Sequence, residues 1–191
     1  PGLIDLKAGI TRFNPNFPTQ WRNVRVRDVL APLLGCPVYL LNDVRTATLG
    51  ELTYGHGRTA STMLFFALGT GIGGGVVIDG KLRLGPLGAA GELGHQTILP
   101  DGPLCGCGNR GCMESFCRAD QVAAECGTAD PREAIEKARE GDQRCIDGLA
   151  RIGRYLGIGL SNAVTVLTPE RIILGGCWSS AGDLLIEPIK A

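Results

Sequence analysis

The sequence predicts an α/β protein, and three observations carry this. Short apolar runs of strand length, at residues 37–41, 61–68 and 171–174, are bounded by turn residues in the manner of buried strands of a parallel sheet. Between them lie stretches whose apolar residues recur every three or four positions, the spacing of helices with one buried face. A glycine-rich turn at residues 69–75 joins one strand directly to the next, so a hairpin interrupts the alternation.

Residues 1–21 are rich in proline, asparagine and glycine and read as loop, with a short strand near 9–12. Val26, Val29, Leu30, Leu33 and Leu34 fall at helical spacing within 23–34, and Gly35 stops that helix. The 37–41 run follows as a buried strand. Asn42 and Asp43 then stand at its carboxyl end, where open α/β sheets bind ligands. A helix over 44–52 comes next. Taken alone, Asp43 reads first as its N-cap, because a side-chain oxygen there accepts from exposed helix N–H groups. A reacting carboxylate is the alternative.

The 61–68 strand runs into Gly69-Thr70-Gly71-Ile72-Gly73-Gly74-Gly75, five glycines in seven residues. Gly69, Gly71 and Gly74 match the dinucleotide fingerprint, and Glu92 lies at a suitable distance for a ribose partner. That fingerprint opens a helix, however. Here Val76, Val77 and Ile78 continue as strand toward an Asp79-Gly80 hairpin turn. The Gly-Lys-Ser/Thr of a Walker loop is also missing. What remains is a turn of exposed N–H groups with a threonine hydroxyl, suited to phosphate oxygens. Residues 81–90 read as loop.

The stretch from Gly91 to Glu114 holds the densest chemistry. His95, one of two histidines, precedes Cys105, Cys107 and Cys112. Four such ligands suit a structural zinc site with no open position. Gly106, Gly108 and Gly111 let the backbone fold tightly enough for thiolates close in sequence to reach one ion. A disulfide between Cys105 and Cys107 is disfavoured by the separation that bond needs. Glu92 and Glu114 flank the ligands, so a metal clip would hold two carboxylates and an imidazole in fixed relative positions.

Residues 115–126 read as helix. Asp130 caps a second helix through Arg139, with Pro131 in its first turn. Asp142 opens the longest helix, in which Ile146, Leu149, Ile152, Leu156, Leu160, Val164 and Leu167 recur at helical spacing. Gly148, Gly153, Gly157 and Gly159 lie among them. Glycine lowers helix stability, so close packing of another backbone is expected there. Thr168-Pro169 ends the helix. The 171–174 strand follows with Gly175-Gly176 at its carboxyl end, and 183–191 forms a partial helix.

Basic and acidic residues balance at 19 each, which gives no electrostatic case for nucleic acid binding through this segment or for an anionic membrane. No apolar run approaches the roughly 18 to 20 residues of a transmembrane helix. Eight cysteines, three clustered and the rest scattered mostly in apolar or helical contexts, fit a reducing cytoplasm better than a secreted scaffold. The chain starts at Pro1 and stops within a helical pattern, as a fragment of a longer protein would.

Together these residues resemble the ROK (repressor, open reading frame, kinase) family of sugar kinases, most closely its zinc-containing bacterial glucokinases. The matching motifs are Pro1-Gly2-Leu3-Ile4-Asp5, Asn42-Asp43 with Leu49-Gly50-Glu51, residues 68–75, residues 91–95, the cysteine set through Glu114, and residues 169–176. They span nearly the whole chain. The resemblance implies an actin-like ATPase (ribonuclease H-like) fold of two α/β domains around a cleft, here incomplete. Residues 1–43 would be the C-terminal part of the small domain. Residues 44–191 would be the large domain with its zinc-binding segment, incomplete at the C-terminus.

The implied activity is ATP-dependent transfer of the γ-phosphoryl group to the 6-hydroxyl of glucose. Asp43 takes the role of general base and contacts the sugar, with Asn16, Asn42, Glu92, His95 and Glu114 as further sugar contacts. His95 also joins Cys105, Cys107 and Cys112 on zinc. Gly69, Thr70, Gly71, Ile72, Gly73, Gly74, Gly75 and Val76 bind the ATP phosphates, and Gly175 and Gly176 face the adenosine. Mg2+ accompanies ATP. Sugar and ATP are the implied partners of a cytoplasmic homo-oligomer, a dimer or tetramer.

There are departures. The Asp-x-Gly-Gly-Thr strand–turn with which the family usually opens is not in the chain. Around Asp43, Leu41, Val44, Arg45 and Thr46 stray from the common Glu-Asn-Asp-Ala-Asn-Ala-Ala pattern. Arg45 and Thr46 are expected on the following helix, which leaves the base assignment intact. Alternatives within the family are an N-acetylmannosamine or N-acetylglucosamine kinase and the sugar-sensing half of a transcriptional repressor. A zinc hydrolase with Glu92 as base is disfavoured, because a fourth protein ligand leaves zinc no water.

Overall fold

In the computed structural model, which describes residues 2–14, 18–86 and 88–191, the chain opens with an antiparallel ribbon of β1 (Leu3–Asp5) and β2 (Ile10–Phe13). Helices α1 (Val26–Leu34) and α2 (Asp43–Thr53) follow, then strands β3 (Met63–Leu68), β4 (Ile72–Ile78) and β5 (Lys81–Arg83). After the cysteine segment come α3 (Glu114–Cys117), α4 (Ala119–Cys126), α5 (Pro131–Arg139) and α6 (Gln143–Leu167). Strand β6 (Arg171–Gly175) and α7 (Asp183–Lys190) complete the order.

The larger sheet runs β5-β4-β3-β6. Its β3–β4 and β4–β5 pairs are antiparallel, and β3–β6 is parallel. The parallel pair is the one joined by a long helical crossover, as parallel pairing requires. Asp79 and Gly80 link β4 to β5 with φ of 55° and 65°. Both values are positive, as the tight hairpin turn demands. The strand β5 falls where the sequence reads as loop; only three residues pair after that turn.

Both faces of the sheet are covered. On one face Leu64, Phe66 and Leu68 join Leu149, Ile152, Leu156 and Leu160 of α6 and the buried Trp178. On the other, Met63 and Val77 pack with Leu52 of α2. Strand β3 is therefore buried on both sides, which explains its unbroken apolar run. Of the α6 glycines, Gly153 and Gly157 lie against the backbone of α7 as expected, whereas Gly148 and Gly159 pack first on the side chains of Cys126 and Met113. A Cβ on Gly157 would lie 2.7 Å from the Ile189 carbonyl oxygen, because α7 crosses there. Asp130 and Asp142 cap α5 and α6 as read from the sequence.

Three expectations are corrected. Residues 37–42 form no strand and pair with nothing in either sheet. A strand needs a neighbour to take its ladder hydrogen bonds, and none lies beside this run among the described residues. The helix expected over 115–126 breaks at Arg118, whose ψ of 161° separates α3 from α4. The glycine turn is shorter than expected, since β4 already begins at Ile72. The ribbon and α1 are tied by Arg27, whose guanidinium donates to the carbonyls of Leu6, Lys7 and Val38. No helix of the described residues is long and apolar enough to cross a membrane.

Candidate functional site

A cleft of about 630 Å³ opens where α2, the β3–β4 turn and the cysteine segment meet. That volume suits a small-molecule site, for which about 300–1,000 Å³ is usual. Its wall includes Asn42, Asp43, Glu92, His95 and Glu114 together with Gly69, Thr70, Gly71, Ile72 and Gly73. The residues singled out from scattered motifs thus converge on one cavity. Asn16 lies outside the described residues.

Asn42 caps α2, not Asp43. Its Oδ1 accepts from the Val44 and Arg45 amides at 3.0 and 3.3 Å, and its Nδ2 donates to the Gly2 carbonyl at 3.2 Å. Asp43 is the first residue of the helix, exposed at the cleft. The neighbouring asparagine supplies the cap for which Asp43 is the first reading from sequence.

The glycines divide into two groups. Gly69 and Gly71 form the turn, closed by the Gly69 amide donating to the Gly71 carbonyl at 3.0 Å. Gly73, Gly74, Gly75 and Val76 lie in β4, opposite Ala67, Phe66, Phe65 and Leu64. These four residues thus belong to the strand beyond the turn, and Gly73 still lines the cleft. A Cβ on Gly73 would sit 2.6 Å from Val44 Cγ2, and one on Gly75 would sit 2.0 Å from Thr48 Oγ1. These glycines let α2 lie directly on the sheet. Gly175 ends β6 beside Ala67, and Gly176, at φ 103°, lies against Leu68 just before the turn. Neither lines the cleft.

The four candidate metal ligands come together. Ligand atoms of His95, Cys105, Cys107 and Cys112 all lie within 4.8 Å of one another. Cys107 and Cys112 sulfurs are 3.7 Å apart, and Cys105 Sγ is 3.6 Å from His95 Nδ1. A tetrahedral zinc with ordinary bond lengths has S···S and S···N edges of about 3.8 and about 3.6 Å. The donor set therefore fits the ion. Desolvation pushes the Cys112 thiol up to about 12 and raises that of Cys105, whereas the Asn109 amide lowers that of Cys107. Thiolates are the form that binds metal, and a cation among them would offset the burial.

Glu114 connects this cluster to the glycine turn. Its Oε2 accepts from the Ile72 amide at 2.9 Å, while Oε1 lies 3.7 Å from Cys105 Sγ and 3.9 Å from His95 Nδ1. Two charged residues on the cleft wall have no site role in the sequence reading. Arg118 reaches the wall from the break between α3 and α4, its Nε 2.7 Å from Asp120. Arg45 is buried on α2 and bridges Glu92 to Gly74. Arg45 and Thr48, three apart, are the two buried residues of α2; the sequence signals only that this helix has no apolar stripe to bury.

Comparison with known proteins bears on the family. The ROK family model matches residues 1–191. The glucokinase of Thermotoga maritima is 37% identical over 209 residues, covering 100% of this chain and 66% of that protein. The xylose repressor of Caldicellulosiruptor bescii is 31% identical, covering 100% of this chain and 52% of that protein. A ROK family glucokinase from Streptomyces griseus, solved with glucose and AMPPNP, superposes with a TM-score of 0.86 at 32% identity, over 99% of this chain and 67% of that one. The chain thus spans about two thirds of the glucokinases and half of the repressor. On this match along its full length, the chain belongs to the ROK family and has the actin-like α/β fold of its sugar kinases.

Proposed function

We propose that this chain carries the sugar cleft and part of the nucleotide site of an ATP-dependent hexose kinase, with the 6-hydroxyl of glucose as acceptor. The observation that carries the reading is the single cleft uniting Asp43, Glu92 and His95 with the Gly69–Gly71 turn. Residues 1–43 then belong to the small domain and 44–191 to the large one. Asn42, Glu92, His95 and Glu114 surround the sugar, and the family motif assigns Asn16 the same task. A polyol suits such a lining, because each buried hydroxyl needs a partner.

Asp43 accepts the proton of the attacking hydroxyl, as a carboxylate within hydrogen-bond reach can. Phosphoryl transfer asks mainly for positioning and charge neutralisation. The Gly69 to Gly71 turn with Thr70 holds phosphate oxygens, Gly175 and Gly176 lie on the adenosine side, and Mg2+ arrives with ATP. His95, Cys105, Cys107 and Cys112 would hold zinc, which with four protein ligands serves folding and not hydrolysis. His95 turns Nδ1 to the cysteines, leaving Nε2 for a sugar hydroxyl.

The test is phosphate transfer by the complete protein to glucose, N-acetylmannosamine and N-acetylglucosamine. Asp43→Asn should cut turnover about 10²- to 10⁴-fold while sugar binding persists. Turnover near wild type in that variant refutes the base. A wild-type protein that binds glucose without phosphorylating it favours a sugar-sensing repressor, the class of the xylose repressor relatives.

A further inference from the structure

Arg45 is the third residue of α2 and only 2% exposed. Its Nη2 donates to Glu92 Oε1 and its Nη1 to the Gly74 carbonyl, both at 2.7 Å. Its Nε is buried without a partner among the described residues. Two features make this placement unfavourable in isolation. A guanidinium stays charged when buried, and the first turn of a helix repels a cation. A compensating anion is required, and Glu92 is the carboxylate in contact. The pair is asymmetric: the cation is sealed, while 48% of the Glu92 side chain remains exposed. Glu92 lines the same cleft as Asn42 and Asp43.

We propose that Arg45 is a positioning residue of the sugar site. It holds Glu92 Oε1, so that Oε2 is presented to the ligand in one orientation. Through Gly74 it also anchors the first turn of α2, and with it Asp43, to β4. Asparagine, the residue of the family pattern at this position, is too short to make both contacts. This role of Arg45 rests on the reading of the cleft as a sugar site.

The test is calorimetric titration of the complete protein with glucose, and separately with AMPPNP, for wild type, Arg45→Met, Glu92→Gln and the double variant. Losing a charge-assisted contact should weaken glucose binding about 10- to 100-fold in Arg45→Met. AMPPNP affinity should hardly change. If Arg45 acts through Glu92, the double variant binds glucose about as well as the weaker single variant. Arg45→Lys, which keeps the charge but not the fork, should recover part of the loss. Effects that add in full across the cycle overturn the proposal, as does unchanged glucose affinity in a folded Arg45→Met. Should Arg45→Met fail to fold, wild-type affinity in folded Arg45→Lys and Arg45→Asn overturns it equally. A wild-type protein that binds no hexose instead refutes the sugar reading on which the proposal stands.

Discussion

Gly75→Ala separates packing from phosphate binding. An added Cβ would stand 2.0 Å from Thr48 Oγ1 and 2.7 Å from Thr48 Cβ, whereas real Cβ contacts essentially never fall below 3.0 Å. Thr48 cannot easily swing away: it is fully buried, β-branched, and its hydroxyl donates to the Val44 carbonyl at 2.7 Å. The remaining relief is to lift α2 from the sheet by about 1 Å, the gap between the two distances. Overpacking of this kind typically costs about 1–3 kcal/mol. The same shift carries Asp43 and Arg45, and a 1 Å misplacement can cost about 10²-fold in rate. Urea unfolding should therefore show a loss of about 1–3 kcal/mol, and steady-state assays of the complete protein should show reduced kcat with little change in KM for ATP. Wild-type stability, or a rise confined to KM for ATP, would refute the packing role and return Gly75 to the phosphate site.

Gly50→Ala is the opposite case, because a Cβ there meets nothing within 4 Å; urea unfolding should show a gain of about 0.5–1 kcal/mol, and a loss would mean α2 is not a regular helix. Cys107→Ala should lose stoichiometric zinc by metal analysis and weaken glucose binding. Because Glu114 also holds the Ile72 amide, nucleotide affinity should fall as well, and full zinc occupancy would remove Cys107 from the ligand set. In thiol labelling of the folded, metal-free chain, exposed Cys36, Cys107 and Cys177 should react first. Burial pushes the Cys126 thiol up to about 12 and raises that of Cys117, so their labelling should wait for unfolding. Labelling of Cys126 at the rate of Cys36 would contradict its placement in the core.

Features settled within a few residues were legible from the chain alone. Asp130 and Asp142 as caps, Gly35 as a left-handed stop and Asp79-Gly80 as a hairpin turn depend on hydrogen bonds and φ values local to each site. The cysteine set was equally legible, since Cys105, Cys107 and Cys112 sit on one short loop whose closure needs only local turns. Tertiary structure decided the rest. The apolar run at 37–41 matches a strand by composition, yet a strand exists only beside a neighbour. That Gly73 and Gly75 lie under Val44 and Thr48 of α2 is visible only once the two segments are brought together. Arg45 reads only as a residue of the helix after Asp43 until Glu92, 47 positions away, is brought beside it. Periodicity and capping are properties of one segment, whereas burial, pairing and close approach belong to two segments at once and follow from how the chain is folded.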